Sequence, residues 1–274
     1  MSESSGPRRS RRRQLQASHQ KNWLVGRYAV LEVLKAGRWP ITELLLADDL
    51  DEGQLAEVRG LLSESRLRPT RESRDRLTQL CHAEHHQGYV ARMGDYPYQT
   101  VESLLKEIGI SANESTGSLK LPPLLVLCDR IQDAHNFGAI LRSCDAMRVD
   151  GVIIGQTEQV GVTPQVARSS AGAVNSVKIA TCDDPVQIAR QLREHGFQLA
   201  AASEKSSGAV WDSDMQGPVC LVIGSEAVGI HDDLFAVCGQ HLRIPMLGQV
   251  ESLNAAVAAG ILLYEIRRQQ MSAV

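Results

Sequence analysis

The sequence predicts an α/β protein of two domains, in which a parallel-sheet domain follows a smaller α/β unit. Helical and strand-like segments alternate from Trp23 to about Met93. Residues 111–117 have the composition of a linker. From Leu121 onward, short apolar runs are separated by helix-length segments, which is typical of strands buried on both faces of a parallel sheet. The predicted divisions are a basic disordered tail (1–22), a small domain (23–94), a linker (95–120) and a large domain (121–270).

The small domain is predicted from six segments with helical or alternating periodicity. They are a helix at Gly26–Ala36, a strand at Ile41–Ala47, a helix at Asp51–Ser65, a strand near Leu67–Thr70, a helix from Ser73 to about His82 and a strand at Gly88–Met93. Within the predicted linker, Thr100–Ile108 could form a further short helix.

The strands of the large domain are predicted from five apolar runs. They are Leu124–Cys128, Val152–Ile154, Leu199–Ala202, Cys220–Ile223 and Leu242–Ile244. Thr163 and Asp184 each precede a proline, and this pattern predicts a helix start. Gly196 stands where a helix should stop, and a long final helix is expected from about Leu253 to Gln270.

Composition and charge limit the functional classes. The 274 residues are 43% hydrophobic, and no apolar run approaches the roughly 18 to 20 residues that span a bilayer, so a cytoplasmic protein is expected. The net charge of −3 divides into +5 over residues 1–22 and −8 over the rest. A basic tail of this kind suits a polyanion such as RNA, although a solubilising segment explains the charge equally well.

Six cysteines without a Cys-x-x-Cys pair are interpreted as reduced core residues. A metal is conceivable near Cys81, because His85 would lie on the same helix face, but adjacent histidines at the end of a helix are the preferred interpretation. No metal site is therefore predicted.

Polar motifs follow three of the apolar runs, where a parallel sheet presents its ligand-binding loops. They cover residues 133–143, 223–230 and 244–258. The chain has no Gly-x-Gly-x-x-Gly, no phosphate loop with its Lys-Ser/Thr and no Gly-x-Ser-x-Gly. Dinucleotide enzymes, nucleotide triphosphatases and serine hydrolases are thus disfavoured, and small, amide and carboxylate side chains suit an adenosine-like ligand.

These three motifs resemble those of the SpoU (TrmH/RlmB) branch of the SPOUT RNA methyltransferases, over about residues 121–270. Residues 85–91 also resemble the end of the ribosomal-protein-like RNA-binding domain of the RlmB group. The resemblance implies a trefoil knot, a homodimer with active sites at its interface and S-adenosylmethionine as cofactor. It implies methylation of a ribose 2′-hydroxyl in structured RNA, with guanosine in large-subunit ribosomal RNA favoured. The alternatives are a tRNA substrate, methylation that confers antibiotic resistance, or a non-catalytic RNA-binding or assembly factor.

The resemblance also implies the site residues. The catalytic set is Asn136, Arg142, Glu226, Ser252 and Asn254, and the cofactor-binding set is Ala202, Gly224, Ile244, Met246 and Leu253. The chain departs from the family where it has Met147-Arg148-Val149 in place of a frequent glycine, and where Glu251 precedes the serine.

Simpler structural roles remain open for several of these residues. Gly229 is preferred as a turn glycine, Ser252 could cap the final helix, and Glu226 could be a surface acid. Arg142 is an unsuitable base, because a guanidinium has a pKa of about 12.5 and stays protonated at neutral pH. Its planar fork suits the binding of a phosphate. It could instead form an ion pair with Glu226.

Overall fold

The structure is a computed structural model that describes residues 22–109, 121–204 and 208–273. The predicted tail lies outside the described residues apart from Asn22, and so does most of the second half of the predicted linker.

The N-terminal domain is a four-stranded sheet with three helices. Its elements are β1 (Trp23–Val25), α1 (Arg27–Ala36), β2 (Ile41–Ala47), α2 (Glu52–Leu61), β3 (Thr70–Glu72), α3 (Arg74–Cys81) and β4 (Tyr89–Met93). The sheet order is β1-β4-β2-β3, in which β4 is antiparallel to both neighbours and β3 is parallel to β2. All three predicted helices and the strands β2 and β4 are confirmed.

The strand β3 was predicted about three residues too early, because Pro69 has no N–H to donate within a ladder and the strand begins after it. The sequence analysis missed β1, whose three residues are too few to show a period.

The C-terminal domain is a seven-stranded parallel sheet covered by helices. Its elements are β5 (Gln99–Thr100), α4 (Val101–Glu107), β6 (Leu124–Asp129), α5 (Ala134–Ala146), β7 (Gly151–Gly155), α6 (Pro164–Ser169), β8 (Ile179–Cys182), α7 (Pro185–Glu194), β9 (Gln198–Ala202), β10 (Val219–Gly224), α8 (Asp232–Val237), β11 (Gln240–Leu242) and α9 (Ala255–Ser272). The strand order is β11-β9-β10-β6-β7-β8-β5. The predicted parallel sheet is confirmed, whereas the trefoil knot stays a prediction.

Three predicted boundaries in this domain were wrong. Residues 99–107 are not a linker, because β5 pairs with β8 and the helix α4 buries Leu104 completely. The strand β11 ends at Leu242 rather than Ile244, close to a proline that restricts the preceding residue. The strand β8 was missed, and α9 begins two residues later than predicted.

The departure at Arg148 has a structural counterpart. Arg148 has a φ of 49°, in the left-handed region that favours glycine. Its carbonyl, together with that of Met147, accepts hydrogen bonds from the buried guanidinium of Arg267 on α9. Arg267 therefore stabilises a turn in which a non-glycine residue is strained.

The histidine-rich end of α3 has a structural role. His86 is buried; its Nδ1 accepts a hydrogen bond from Gly88 N at 3.0 Å, and its Nε2 lies 3.2 Å from Thr78 Oγ1. Burial lowers the pKa of His86, so the ring is neutral at pH 7. Neither ring nitrogen of His86 is therefore left for a metal.

Across the described ranges, no helix combines the length and the apolar character needed to cross a membrane.

Candidate active site

A cavity of about 870 Å³ opens at the carboxyl ends of β9, β10 and β11, beside the start of α9. All five residues predicted to bind the cofactor line it, and they are Ala202, Gly224, Ile244, Met246 and Leu253. The parallel sheet brings these residues together, because the loops that follow neighbouring strands meet at one edge.

Gly224 ends β10 where the chain passes very close to itself. A Cβ atom at this position would lie 2.3 Å from both Gly229 C and Ile230 N. Gly229 has a φ of 69°, and its N–H donates to the carbonyl of Ser225 at 2.8 Å. Gly224 is therefore required by close backbone approach, and the interpretation of Gly229 as a turn glycine is confirmed.

Three of the predicted catalytic residues form one hydrogen-bonded chain at the cavity. Asn136 Nδ2 donates to Glu226 Oε1, and Asn254 Nδ2 donates to Asn136 Oδ1 at 2.9 Å. Glu226 lines the cavity, whereas the two asparagines lie at the first turns of α5 and α9. Glu226 is exposed, as a surface acid is, but no helix starts at it and its carboxylate binds Asn136 beside the cavity.

The surrounding hydrogen bonds fix the orientation of both amides. Asn254 Oδ1 accepts from Ala256 N at 2.9 Å and from Val257 N at 3.3 Å, which caps α9. Its NH₂ group must therefore face Asn136. The carboxylate of Glu226 is an acceptor, so the NH₂ group of Asn136 must face it. Each amide keeps one N–H that no described residue occupies, and this hydrogen can donate to a ligand.

Ser252 lies on the cavity wall and is exposed. The N-cap of α9 is Asn254, so the interpretation of Ser252 as a helix cap was wrong. Its hydroxyl remains available to a ligand.

Arg142 lies apart from this chain of hydrogen bonds. It is exposed on α5, six residues after Asn136, which corresponds to about 9 Å along the helix axis and a rotation of about 240°. Among the described residues it forms no ion pair, and Glu226 bonds Asn136 instead. Within one chain, the described residues therefore do not contain the alternative Arg142–Glu226 ion pair.

Sequence reasoning missed Asp129, whose carboxylate stabilises the loop after β10 on the wall of the cavity. Asp129 ends β6, is 5% exposed, and accepts a hydrogen bond from His231 N at 2.7 Å. Its carboxylate also pairs with Arg130 at 3.2 Å, and the same guanidinium donates to the carbonyl of Gly229. Asp129 thus holds the loop after β10 from the neighbouring strand. The available signal was an acid at the end of an apolar run.

The electrostatic character of the cavity is acidic. Its described wall contains four carboxylates but no lysine or arginine, and these are Glu204, Glu226, Asp232 and Glu251. The rings of Phe235 and His241, both on the wall, are stacked with centroids 4.0 Å apart. Such a wall favours a cationic ligand over an anionic one.

The geometry suits S-adenosylmethionine. The cavity exceeds the size of a nucleoside ligand, the missing Cβ at Gly224 lets backbone groups approach closely, and the acidic wall matches a sulfonium cation. Small and apolar positions such as Ala202 and Ile244 leave recognition to backbone groups and shape.

Comparison with known families and proteins agrees with this geometry. Residues 123–264 match the model of the SpoU rRNA methylase family, and residues 23–99 match a model for RNA 2′-O ribose methyltransferase substrate binding. A Bacillus subtilis protein described as a TrmH family tRNA/rRNA methyltransferase is 31% identical over 253 residues, which are 92% of this chain and 98% of the relative.

Solved structures show the same fold over nearly the whole chain. The SpoU methyltransferase AviRb from Streptomyces viridochromogenes, in complex with AdoMet, has a TM-score of 0.74 and 27% identity over 92% of this chain and 91% of its own. An AdoMet-bound rRNA methyltransferase from Sinorhizobium meliloti has a TM-score of 0.74 and 25% identity, covering 91% of this chain and 87% of its own. With its fold, its cavity and both family models in agreement, this chain belongs to the SpoU family of RNA methyltransferases, whose cofactor is S-adenosylmethionine.

Proposed function

We propose that this protein methylates a ribose 2′-hydroxyl in structured RNA, and that its substrate is large-subunit ribosomal RNA, with guanosine as the target nucleoside. The observation that supports the reaction best is the chain from Glu226 through Asn136 to Asn254 at the rim of an acidic cavity. It presents amide N–H groups whose direction is fixed, next to a wall that suits a sulfonium.

Positioning is the main contribution of the protein. The cofactor supplies an electrophilic methyl group, so the chain has to align a hydroxyl and receive its proton. The spare N–H groups of Asn136 and Asn254 orient the ribose, and the Ser252 hydroxyl is a further donor at the wall. Gly224, Ile244 and Leu253 would hold the cofactor through backbone groups. No metal ion is part of this proposal.

A cation for the target phosphate has to come from outside the described wall of the cavity. Arg142 suits this role, because its fork can grip a phosphate and it has no acidic partner among the described residues. Its position on α5 directs it away from the amides of its own chain. Arg142 therefore serves the active site of a second copy, with the phosphate receiving the hydroxyl proton.

An apolar surface beside α5 supports this homodimer. Val257, Ile261 and Tyr264 follow helical spacing on α9 and are 51%, 40% and 61% exposed. α9 packs on α5 with the same direction, because Asn254 meets Asn136 near their first turns and Arg267 meets Met147 near their last. In the proposed homodimer, a second copy covers this stripe and contacts the exposed face of α5 that carries Arg142.

Mapping of ribose methylation tests the reaction and the substrate together. RNA from cells with and without the gene is hydrolysed with alkali, and the resistant phosphodiester bonds are located. One resistant bond should disappear from large-subunit ribosomal RNA on deletion and return when purified protein and S-adenosylmethionine are added. If the lost site lies in tRNA, tRNA is the substrate instead of ribosomal RNA. Loss of a base methylation would refute the proposed reaction, and unchanged RNA would support a non-catalytic factor.

A further inference from the structure

An aromatic cluster lies where the two domains meet, away from the cavity. The ring of Tyr96 contacts Trp39 and Tyr98 edge-on, with centroid separations of 5.4 Å and 4.9 Å. The guanidinium of Arg38 lies 5.7 Å from the centre of the same ring. Arg38 and Trp39 belong to the N-terminal domain, whereas Tyr96 and Tyr98 lie between β4 and β5. The connecting segment, residues 94–98, is therefore packed rather than loose.

Three hydrogen bonds tie this cluster to the backbone of the C-terminal domain. Arg38 Nη1 donates to Val177 O at 2.7 Å, and Tyr96 Oη donates to Val174 O at 2.8 Å. Tyr98 Oη accepts from Val162 N at 2.6 Å. Burial raises the pKa of Tyr96 and of Tyr98 to about 12, so both hydroxyls keep their protons at neutral pH.

The apolar core is continuous across the same boundary. Leu24 and Val30 of the N-terminal domain belong to one cluster of buried residues with Val166 and Val174 of the C-terminal domain. A shared core and fixed hydrogen bonds make two domains move as one body, whereas domains joined only by a linker move independently.

The segment that receives these contacts packs directly on the active-site helix. Ser169 Oγ, at the end of α6, donates to the carbonyl of Ala134, the first residue of α5. A Cβ on Gly138 would come within 1.9 Å of Ser169 Oγ, so α5 and α6 pack too closely to leave room for a side chain at position 138. Asn136 lies on this first turn of α5, two residues from Ala134.

We propose that Arg38, Tyr96 and Tyr98 are positioning residues that hold the N-terminal domain at a fixed distance from the active site. The protein then selects RNA by the spacing between the element bound to that domain and the target ribose. This inference rests on the proposed function. A rigid junction raises the effective concentration of the ribose at the site for an RNA of matching dimensions, and it excludes RNAs of other dimensions.

The test combines a distance measurement with kinetics. Spin labels are placed on exposed positions of α2 and α7, and pulsed electron resonance reports the distribution of distances in the full chain without RNA. The wild type should give one narrow distribution, and the triple variant Arg38→Met, Tyr96→Phe, Tyr98→Phe a broad one. For ribosomal RNA with the mapped site, KM should rise about tenfold, while kcat and the Kd of S-adenosylmethionine change less than about twofold. KM for a short oligonucleotide with the same site should not change.

Matched substitutions away from the junction serve as controls. Arg59→Met and Tyr28→Phe alter exposed side chains of the N-terminal domain, and both should keep the narrow distribution and the KM. The single variant Tyr96→Phe retains the ring, so it gives a readout if the triple variant unfolds. A broad wild-type distribution, or unchanged distances and KM in both variants, would overturn the inference. A narrow distribution in a protein that methylates no RNA would refute the proposed function alone.

Discussion

The cavity and one edge of the N-terminal domain, at residues 66–76, carry opposite charges. The described wall of the cavity has four carboxylates and no lysine or arginine. Five exposed arginines instead lie within residues 66–76 around β3, at the edge of the N-terminal sheet. We call these five residues the arginine face, and they are Arg66, Arg68, Arg71, Arg74 and Arg76. Arg74 pairs with Asp49, whereas Arg66, Arg68 and Arg76 have no ion pair with a described acid.

The two ligands of this protein are therefore recognised through different physical interactions. The net charge of −3 averages over both regions and hides them. A cationic cofactor in an enclosed site depends on shape, backbone contacts and a few acids, so its affinity should respond weakly to salt. A polyanion on an exposed face depends on released counterions, so its affinity should respond strongly.

Arg142 belongs to neither region, and its loss should have the largest effect. Removal of a charge that stabilises the transferring group costs about 100-fold to 1000-fold in turnover, so single-turnover methylation by Arg142→Ala should fall by this factor. Arg142→Lys should also be impaired, because the ammonium lacks the fork. Cofactor affinity by calorimetry should not change. Arg193→Ala, an exposed arginine on α7, is the control. Near-normal turnover in a folded Arg142→Ala dimer would remove Arg142 from the reaction.

Gly224→Ala should displace the backbone turn that forms part of the cavity wall. Its Cβ would overlap backbone atoms of Gly229 and Ile230 that cannot yield as a flexible side chain would. Overpacking of about 1–3 kcal/mol corresponds to a loss of about tenfold to a hundredfold in cofactor affinity, measurable by calorimetry after chelation of metals. Gly239→Ala is the matched control, since no atom lies within 4 Å of its Cβ. Equal affinities in the two variants would contradict the assigned role of Gly224.

Neutralising the arginine face should weaken RNA binding without affecting the cofactor. The variant Arg66→Gln, Arg68→Gln, Arg76→Gln should lower RNA affinity about tenfold near physiological salt. It should also reduce the slope of log K against log[salt] by about two to three, because fewer counterions are released. The control variant Arg190→Gln, Arg193→Gln changes exposed arginines of α7. A salt slope equal to that of the wild type would place the RNA elsewhere.

The tyrosines at the junction between the two domains should make the stability of the protein sensitive to alkali. The pKa values of Tyr96 and Tyr98 are about 12 in the folded chain, against about 10 when unfolded. Their contribution to stability is therefore complete below about pH 10 and is lost as the pH rises towards 12. The variant Tyr96→Phe, Tyr98→Phe should lose less stability over this window, as urea unfolding measures. Tyr28→Phe is the control, and equal losses would assign the alkaline sensitivity to other groups such as Cys128.

Local sequence patterns are sufficient to predict much of the C-terminal domain. Continuous apolar runs identified four strands of the parallel sheet, since burial on both faces leaves no polar alternation. Proline after Thr163 and after Asp184 correctly marked two helix starts. The resemblance to the SpoU methyltransferases implied five cofactor-binding residues, and all five line the cavity. These features are local, so a short window of sequence is sufficient to specify them.

Which of those local features meet depends instead on strand order and packing. The order that puts β10 beside β6 brings Asp129 under the loop after Gly224, and no periodicity in either strand encodes that neighbour. The pairing of Asn136 with Glu226, rather than Arg142 with Glu226, depends on which face α5 turns to the sheet. Residues 99–107 resemble a linker because two-residue strands have no period of their own, and β5 exists only because β8 offers an edge. Contacts between distant segments are set by strand order and packing, and these are properties of the whole chain.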